Sequence, residues 1–131
     1  LGGTKINIGL VNEEGEILSR TVVRTDVEGG AQAVIGQIVN AGKELLAEGK
    51  YDLETLGIGL AGQIEKNTGV VTFAPNLKWR DVAVKQQLQE IWKVPVSVLN
   101  DVRAASYAEW QLGAGRGCDD LVCLFVGTGI G

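Results

Sequence analysis

The chain has 131 residues, 45% of them hydrophobic, enough for one domain with a buried core. Its net charge is −4 with Lys and Arg scattered, which gives no basic face for nucleic acid, so an anionic ligand would be held by backbone amides, helix ends or a metal. No apolar run is long enough to span a bilayer, no signal-type segment opens the chain, and no histidine is present for Ser-His-Asp or Cys-His catalysis.

Leu1-Gly2-Gly3-Thr4-Lys5 reads as a tight turn, and residues 5–12 leave it as a strand, with Ile6, Ile8 and Leu10 alternating onto one face. Glu13-Glu14-Gly15-Glu16 is a hairpin loop and residues 17–25 are the return strand. After Gly29 and Gly30, the residues Val34, Ile35, Ile38, Val39, Leu45 and Leu46 fall at helical spacing, predicting an amphipathic helix to about Glu48. Gly36 and Gly42 inside it are expected to allow close packing on the sheet. Residues 56–62 form the next strand. Gly57, Gly59 and Gly62 there satisfy G-x-G-x-x-G, with Asp81 near the distance of a ribose-binding carboxylate. That fingerprint requires a helix starting at its third glycine. Residues 63–79 hold Asn67-Thr68-Gly69 and Pro75 and show no helical stripe, so the dinucleotide reading is rejected for a loop and hairpin carrying Val70, Val71 and Phe73.

Asp81 is the expected N-cap of a second helix that buries Val84, Leu88, Ile91 and Trp92. A β-branched run from Val94 to Leu99 then delivers Asn100 and Asp101 to the start of an alanine-rich helix, which ends at Leu112 with Gly113 as its stop. Residues 120–126 are predicted as a further strand running into Gly127-Thr128-Gly129. The order of elements is α/β, with the Asn-Asp pair on a late parallel strand. Cys118 and Cys123 match no zinc spacing and make no disulfide framework, which suits reduced thiols in a cytoplasmic setting.

The chemistry concentrates where polar residues meet glycine turns. Asn100 and Asp101 at a strand's carboxyl edge could hold a hydroxyl and take its proton, although an ordinary helix cap has the same residues. Gly2-Gly3-Thr4 and Gly127-Thr128-Gly129 each abut a strand and offer backbone amides plus a hydroxyl, a pair of turns suited to clamping a polyphosphate with a base between them. No Gly-Lys-Ser/Thr is present, which excludes a P-loop.

Taken in order, Leu1-Gly2-Gly3-Thr4-Lys5, Gly57-Ile58-Gly59-Leu60-Ala61-Gly62, Ala74-Pro75-Asn76-Leu77-Lys78-Trp79, Asn100-Asp101-Val102-Arg103-Ala104-Ala105 with Glu109, and Gly127-Thr128-Gly129-Ile130-Gly131 resemble the N-terminal half of the ROK sugar kinases, bacterial glucokinases above all. The resemblance implies a ribonuclease-H-like domain of the actin and hexokinase superfamily over residues 1–113. Residues 119–131 would open a second, ATPase domain, with ATP and Mg2+ in the cleft between the two. It implies Asp101 as general base, Asn100 as a partner to sugar hydroxyls, and Gly2, Gly3, Thr4, Lys5, Gly127, Thr128 and Gly129 as the phosphate-binding set. Asn76 would border the sugar pocket or stabilise its own turn, and Glu109 and Trp110 would be structural. Glucose is the expected substrate among several hexoses, with ATP or polyphosphate as donor and a homodimer as the full-length assembly.

The family's magnesium-binding aspartate and the central strand that carries it would precede Leu1, and its zinc site would follow Gly131. Both ends of the chain fall inside motifs, which suggests a piece of a longer protein. The alternative within the family is a sugar-responsive repressor with an upstream helix-turn-helix. Such repressors generally have a degraded first glycine turn, whereas Gly2-Gly3-Thr4 is intact.

Overall fold

Alternating apolar residues turn the start of the chain into a hairpin. Strand β1 (Lys5–Val11) pairs antiparallel with β2 (Ile17–Arg24), Ile6 opposite Val23 and Ile8 opposite Thr21. The computed structural model that gives this geometry describes residues 1–126. Helix α1 (Gly30–Gly49) lies across the hairpin and buries Val34, Ile35, Ile38, Val39, Ala41 and Leu45, the stripe its spacing predicts except that Leu46 is half-buried. It ends where Lys50 turns left-handed, and the Lys50 N–H bonds the Ala47 carbonyl.

Strand β3 (Leu56–Leu60) follows, then β4 (Gln63–Ile64), β5 (Val71–Ala74), a single 3-10 turn (Pro75–Leu77) and β6 (Trp79–Val82). No helix starts at Gly62, in keeping with the rejected dinucleotide fingerprint. Helix α2 (Val84–Trp92), strand β7 (Val96–Asn100) and helix α3 (Asp101–Leu112) complete the order. β3 and β7 run parallel, Leu56 beside Val96 and Leu60 beside Asn100, so α2 serves as the crossover between parallel strands. β4, β5 and β6 form their own antiparallel sheet. Its first turn is closed by Glu65, whose carboxylate accepts from the Thr68 hydroxyl and the amides of Asn67 and Thr68, bonds that lower its pKa.

One core joins these layers: Ile6 of β1, the α1 stripe, Leu60, Val71, Leu77, Trp79, Val84, Leu88, Val96 and Val98. Within the described residues β1 and β3 belong to separate ladders. Between their edges, above α1, lies a cavity of about 660 Å³ lined by Ile8, Leu10, Ile38, Leu46, Leu56 and Trp92. Its lining takes in residues 51–57, which lead into the amino end of β3, and no residue of α3.

Four expectations are corrected. Asp81 does not cap α2: it sits inside β6 with φ 53, and α2 starts after Ala83 without a side-chain cap. Pairing of β6 with β5, Val82 opposite Val71 and Arg80 opposite Phe73, claims this segment for a sheet, and an aspartate tolerates the left-handed kink. Ile91 is 46% exposed, because the short α2 turns only Val84 and Leu88 fully into the core. Gly36 faces open space, and Gly42 admits the Trp92 ring rather than the sheet, a Cβ there falling 3.2 Å from that ring. Residues 120–126 form no regular strand, with Leu121, Val122, Leu124 and Val126 exposed. A strand exists only through its neighbours, and this segment lies on no sheet among the described residues.

Candidate active site

β7 carries Asn100 to the carboxyl edge of the parallel pair, level with Leu60, and α3 begins at the next residue. Asn100 is extended, and its Oδ1 accepts from the Arg103 N–H at 3.1 Å, so it caps α3. Its Nδ2 donates to the Gly62 carbonyl at 3.3 Å, which ties the cap to the end of β3. One amide hydrogen and one lone pair remain on Asn100 for a ligand. Asp101 occupies the first helical turn, is exposed, and accepts from the Val102 N–H at 3.0 Å. No Lys or Arg pairs with it among the described residues. The amino end of α3 favours the carboxylate's charge, and a free carboxylate oxygen is left to meet a substrate proton.

The first glycine turn comes to the same edge. The main-chain nitrogen of Leu1 donates to the Gly59 carbonyl at 2.7 Å, and a Cβ on Gly59 would lie 3.6 Å from the Asp101 Cα. The turn itself is tied by main-chain bonds, Gly2 N–H to the Lys5 carbonyl at 3.1 Å and Thr25 N–H to the Thr4 carbonyl at 3.0 Å. The Thr25 hydroxyl adds a third, to the Gly2 carbonyl at 2.7 Å. A side chain at Gly3 would run into the backbone of Asn76, so only glycine lets the Pro75–Leu77 turn close against the first turn. Lys78, just after that turn, pairs with Glu28, which follows Thr25 by three residues. The N–H groups of Gly3 and Thr4 donate to no protein acceptor among the described residues. Two adjacent unpaired amides in a turn are what an anion needs.

The structure therefore seats Leu1, which leads into the Gly2–Thr4 turn, on Gly59 beside Asp101, links Asn100 to Gly62, and closes Asn76 against Gly3. Lys5 is the first residue of β1, opposite Arg24, and its side chain is exposed. Gly127, Thr128 and Gly129 lie outside the described residues. Glu109 and Trp110 hold the chain just after α3: Glu109 accepts from the Ala114 N–H at 3.0 Å and Trp110 Nε1 donates to the Cys118 carbonyl at 3.0 Å. Thr25 went unnoticed in the sequence, and Gly62 was noted only for its glycine spacing, since each acts through a hydrogen bond involving main chain to a residue more than twenty positions away. Among the described residues no three His, Cys, Asp or Glu side chains gather as a metal site, both cysteines are free, and no helix is long and apolar enough to cross a membrane.

The ROK family model matches residues 1–131. The chain belongs to the ROK family. A glucokinase of Streptomyces coelicolor is 37% identical to this ROK chain over 131 residues, covering all of it and 40% of the relative. A crystal structure of a ROK family glucokinase from Streptomyces griseus, in complex with glucose and AMPPNP, superposes with a TM-score of 0.87 at 40% identity, covering 100% of this chain and 41% of that one. The xylose repressor of Bacillus subtilis is 36% identical over 86 residues, 66% of this chain and 22% of the repressor. The α/β fold is thus that of the ROK sugar kinases, of the actin and hexokinase type. The chain spans about 40% of the length of the curated glucokinases it matches.

Proposed function

We infer that the chain is the N-terminal part of an ATP-dependent hexose kinase, with glucose as the first candidate substrate. The observation that carries this reading is that Leu1, leading into the Gly2–Thr4 turn, is seated on Gly59 beside Asp101. Its similarity to glucokinases over its full length supports the same reading. In this proposal residues 1–113 form one lobe and residues 119–131 begin the second.

Asp101 takes the proton of the sugar's primary hydroxyl as that oxygen attacks the γ-phosphorus of ATP; the bond to the β-γ bridging oxygen breaks, and ADP leaves with that electron pair. Asn100 offers its remaining N–H and lone pair to the neighbouring sugar hydroxyls. The free amides of Gly3 and Thr4 and the Thr4 hydroxyl hold phosphate oxygens, which makes positioning and charge neutralisation the main sources of rate. Among the described residues no cluster of acidic side chains could hold a metal by itself, so magnesium would enter with the ATP phosphates and water, the usual mode for Mg2+. When bound it offsets the charge that develops on the transferring phosphoryl group.

The repressor alternative draws on the xylose repressor match, which covers two-thirds of the chain. The kinase reading is better supported because the matching glucokinases cover all of it and the Gly2–Thr4 turn has two free amides. A coupled assay of the full-length protein with ATP and a panel of hexoses tests it. ADP release that depends on glucose or a close hexose is expected; sugar-modulated DNA binding without ATP consumption would overturn it.

A further inference from the structure

We propose that Thr25 is a positioning residue that aims the Gly3 amide into the phosphate site, an assignment that rests on the nucleotide reading of the Gly2–Thr4 turn. Thr25 is the buried polar residue of the described chain, 7% exposed, at the point where β2 ends and the run toward α1 begins. Its hydroxyl donates to the Gly2 carbonyl at 2.7 Å and its N–H to the Thr4 carbonyl at 3.0 Å, so one residue grips both sides of the turn. The Gly2–Gly3 peptide is trans and planar, which makes the Gly2 carbonyl and the Gly3 N–H point in opposite directions. Holding the carbonyl toward Thr25 therefore turns the Gly3 N–H away from the protein interior. Two consecutive glycines would otherwise let this peptide plane rotate freely.

Thr25 is itself held from both neighbours. Gln37 of α1 accepts from the Asp26 N–H at 2.9 Å and donates through Nε2 to the Arg24 carbonyl at 2.8 Å. The β-branched side chain of Thr25 has little χ1 freedom. The path from the helix to the phosphate turn is thus Gln37, the peptide groups flanking Thr25, the Thr25 hydroxyl, the Gly2 carbonyl and the Gly3 N–H.

The test is Thr25→Val, which keeps the shape and loses the hydroxyl, beside Thr25→Ser, which keeps the hydroxyl, both in the full-length kinase. Thr25→Val raises KM for ATP about 3- to 10-fold, the range for one lost hydrogen bond, with KM for the hexose unchanged within about twofold, and Thr25→Ser restores most of the ATP KM. Equal rises in both KM values, or an unchanged ATP KM in Thr25→Val, overturn the assignment. Thr25→Ala replaces Thr25→Val should the latter not fold. Amide exchange supplies a readout that needs no turnover: AMPPNP slows exchange at Gly3 and Thr4 in the unsubstituted protein and does so less in Thr25→Val. No protection in the unsubstituted protein refutes the nucleotide reading itself, whereas equal protection in both proteins refutes the role of Thr25 alone.

Discussion

Helices α1 and α3 flank the same small domain and are held in opposite ways. α1 has 20 residues and buries six of them, Val34 completely, along its whole length against the hairpin. α3 has 12 residues and buries none. Its outer half shows Tyr107 and Trp110, packed edge to face at 5.9 Å between centroids, and Leu112 at 82% exposure. What fixes α3 in this chain is its first turn, with the Asn100 cap, the bond from Asn100 to Gly62 and the close approach of Asp101 to Gly59, together with the half-buried Val102, Ala104, Ala105 and Ser106. Deep burial places α1, whereas directional hydrogen bonds and partial burial place α3. Asp101, the base of the proposed reaction, sits in the first turn that those directional bonds hold.

The contrast can be tested by substitution in the chain itself. Ile35→Ala in α1 removes a side chain that is 2% exposed and should cost about 2–5 kcal/mol in denaturant unfolding. A cost below about 1 kcal/mol would mean that α1 is not held by burial. Asn100→Ala removes the cap and the Gly62 link and should cost about 0.5–2 kcal/mol, with faster amide exchange at Val102 and Arg103 and little change in α1. Exchange that speeds up equally in both helices would erase the distinction. Leu112→Ala should stay within about 0.5 kcal/mol of the parent by the same unfolding measurement, since the side chain is almost wholly in solvent.

Elements defined by local pattern were legible in the sequence. The alternation of Ile6, Ile8 and Leu10 marked β1, the i, i+3, i+4 spacing from Val34 to Leu45 marked α1, and the β-branched run before Asn100 marked β7. Elements defined by distant partners were not. β6 exists because Trp79 to Val82 pairs with β5, and nothing local to Asp81 announces a left-handed residue inside a strand. Residues 120–126 carry a strand's composition and, an isolated bridge at Val126 apart, join no sheet among the described residues, which composition cannot reveal. The site divides in the same way: glycines and the Asn-Asp pair stand out in the sequence, while Thr25 looks like the last residue of a strand until its hydroxyl is seen on the Gly2 carbonyl.

The central claim is the proposal that Asp101 is the base that activates the sugar hydroxyl, and steady-state kinetics of Asp101→Asn in the full-length protein tests it most directly. The substitution preserves size and a carbonyl-type oxygen for the Val102 amide but cannot accept a proton. The expected result is a fall in kcat of about 10²–10⁴, with calorimetric affinity for the hexose changed by less than about threefold. A variant that kept near-parental kcat would contradict the account and leave Asp101 as no more than a first-turn residue of α3.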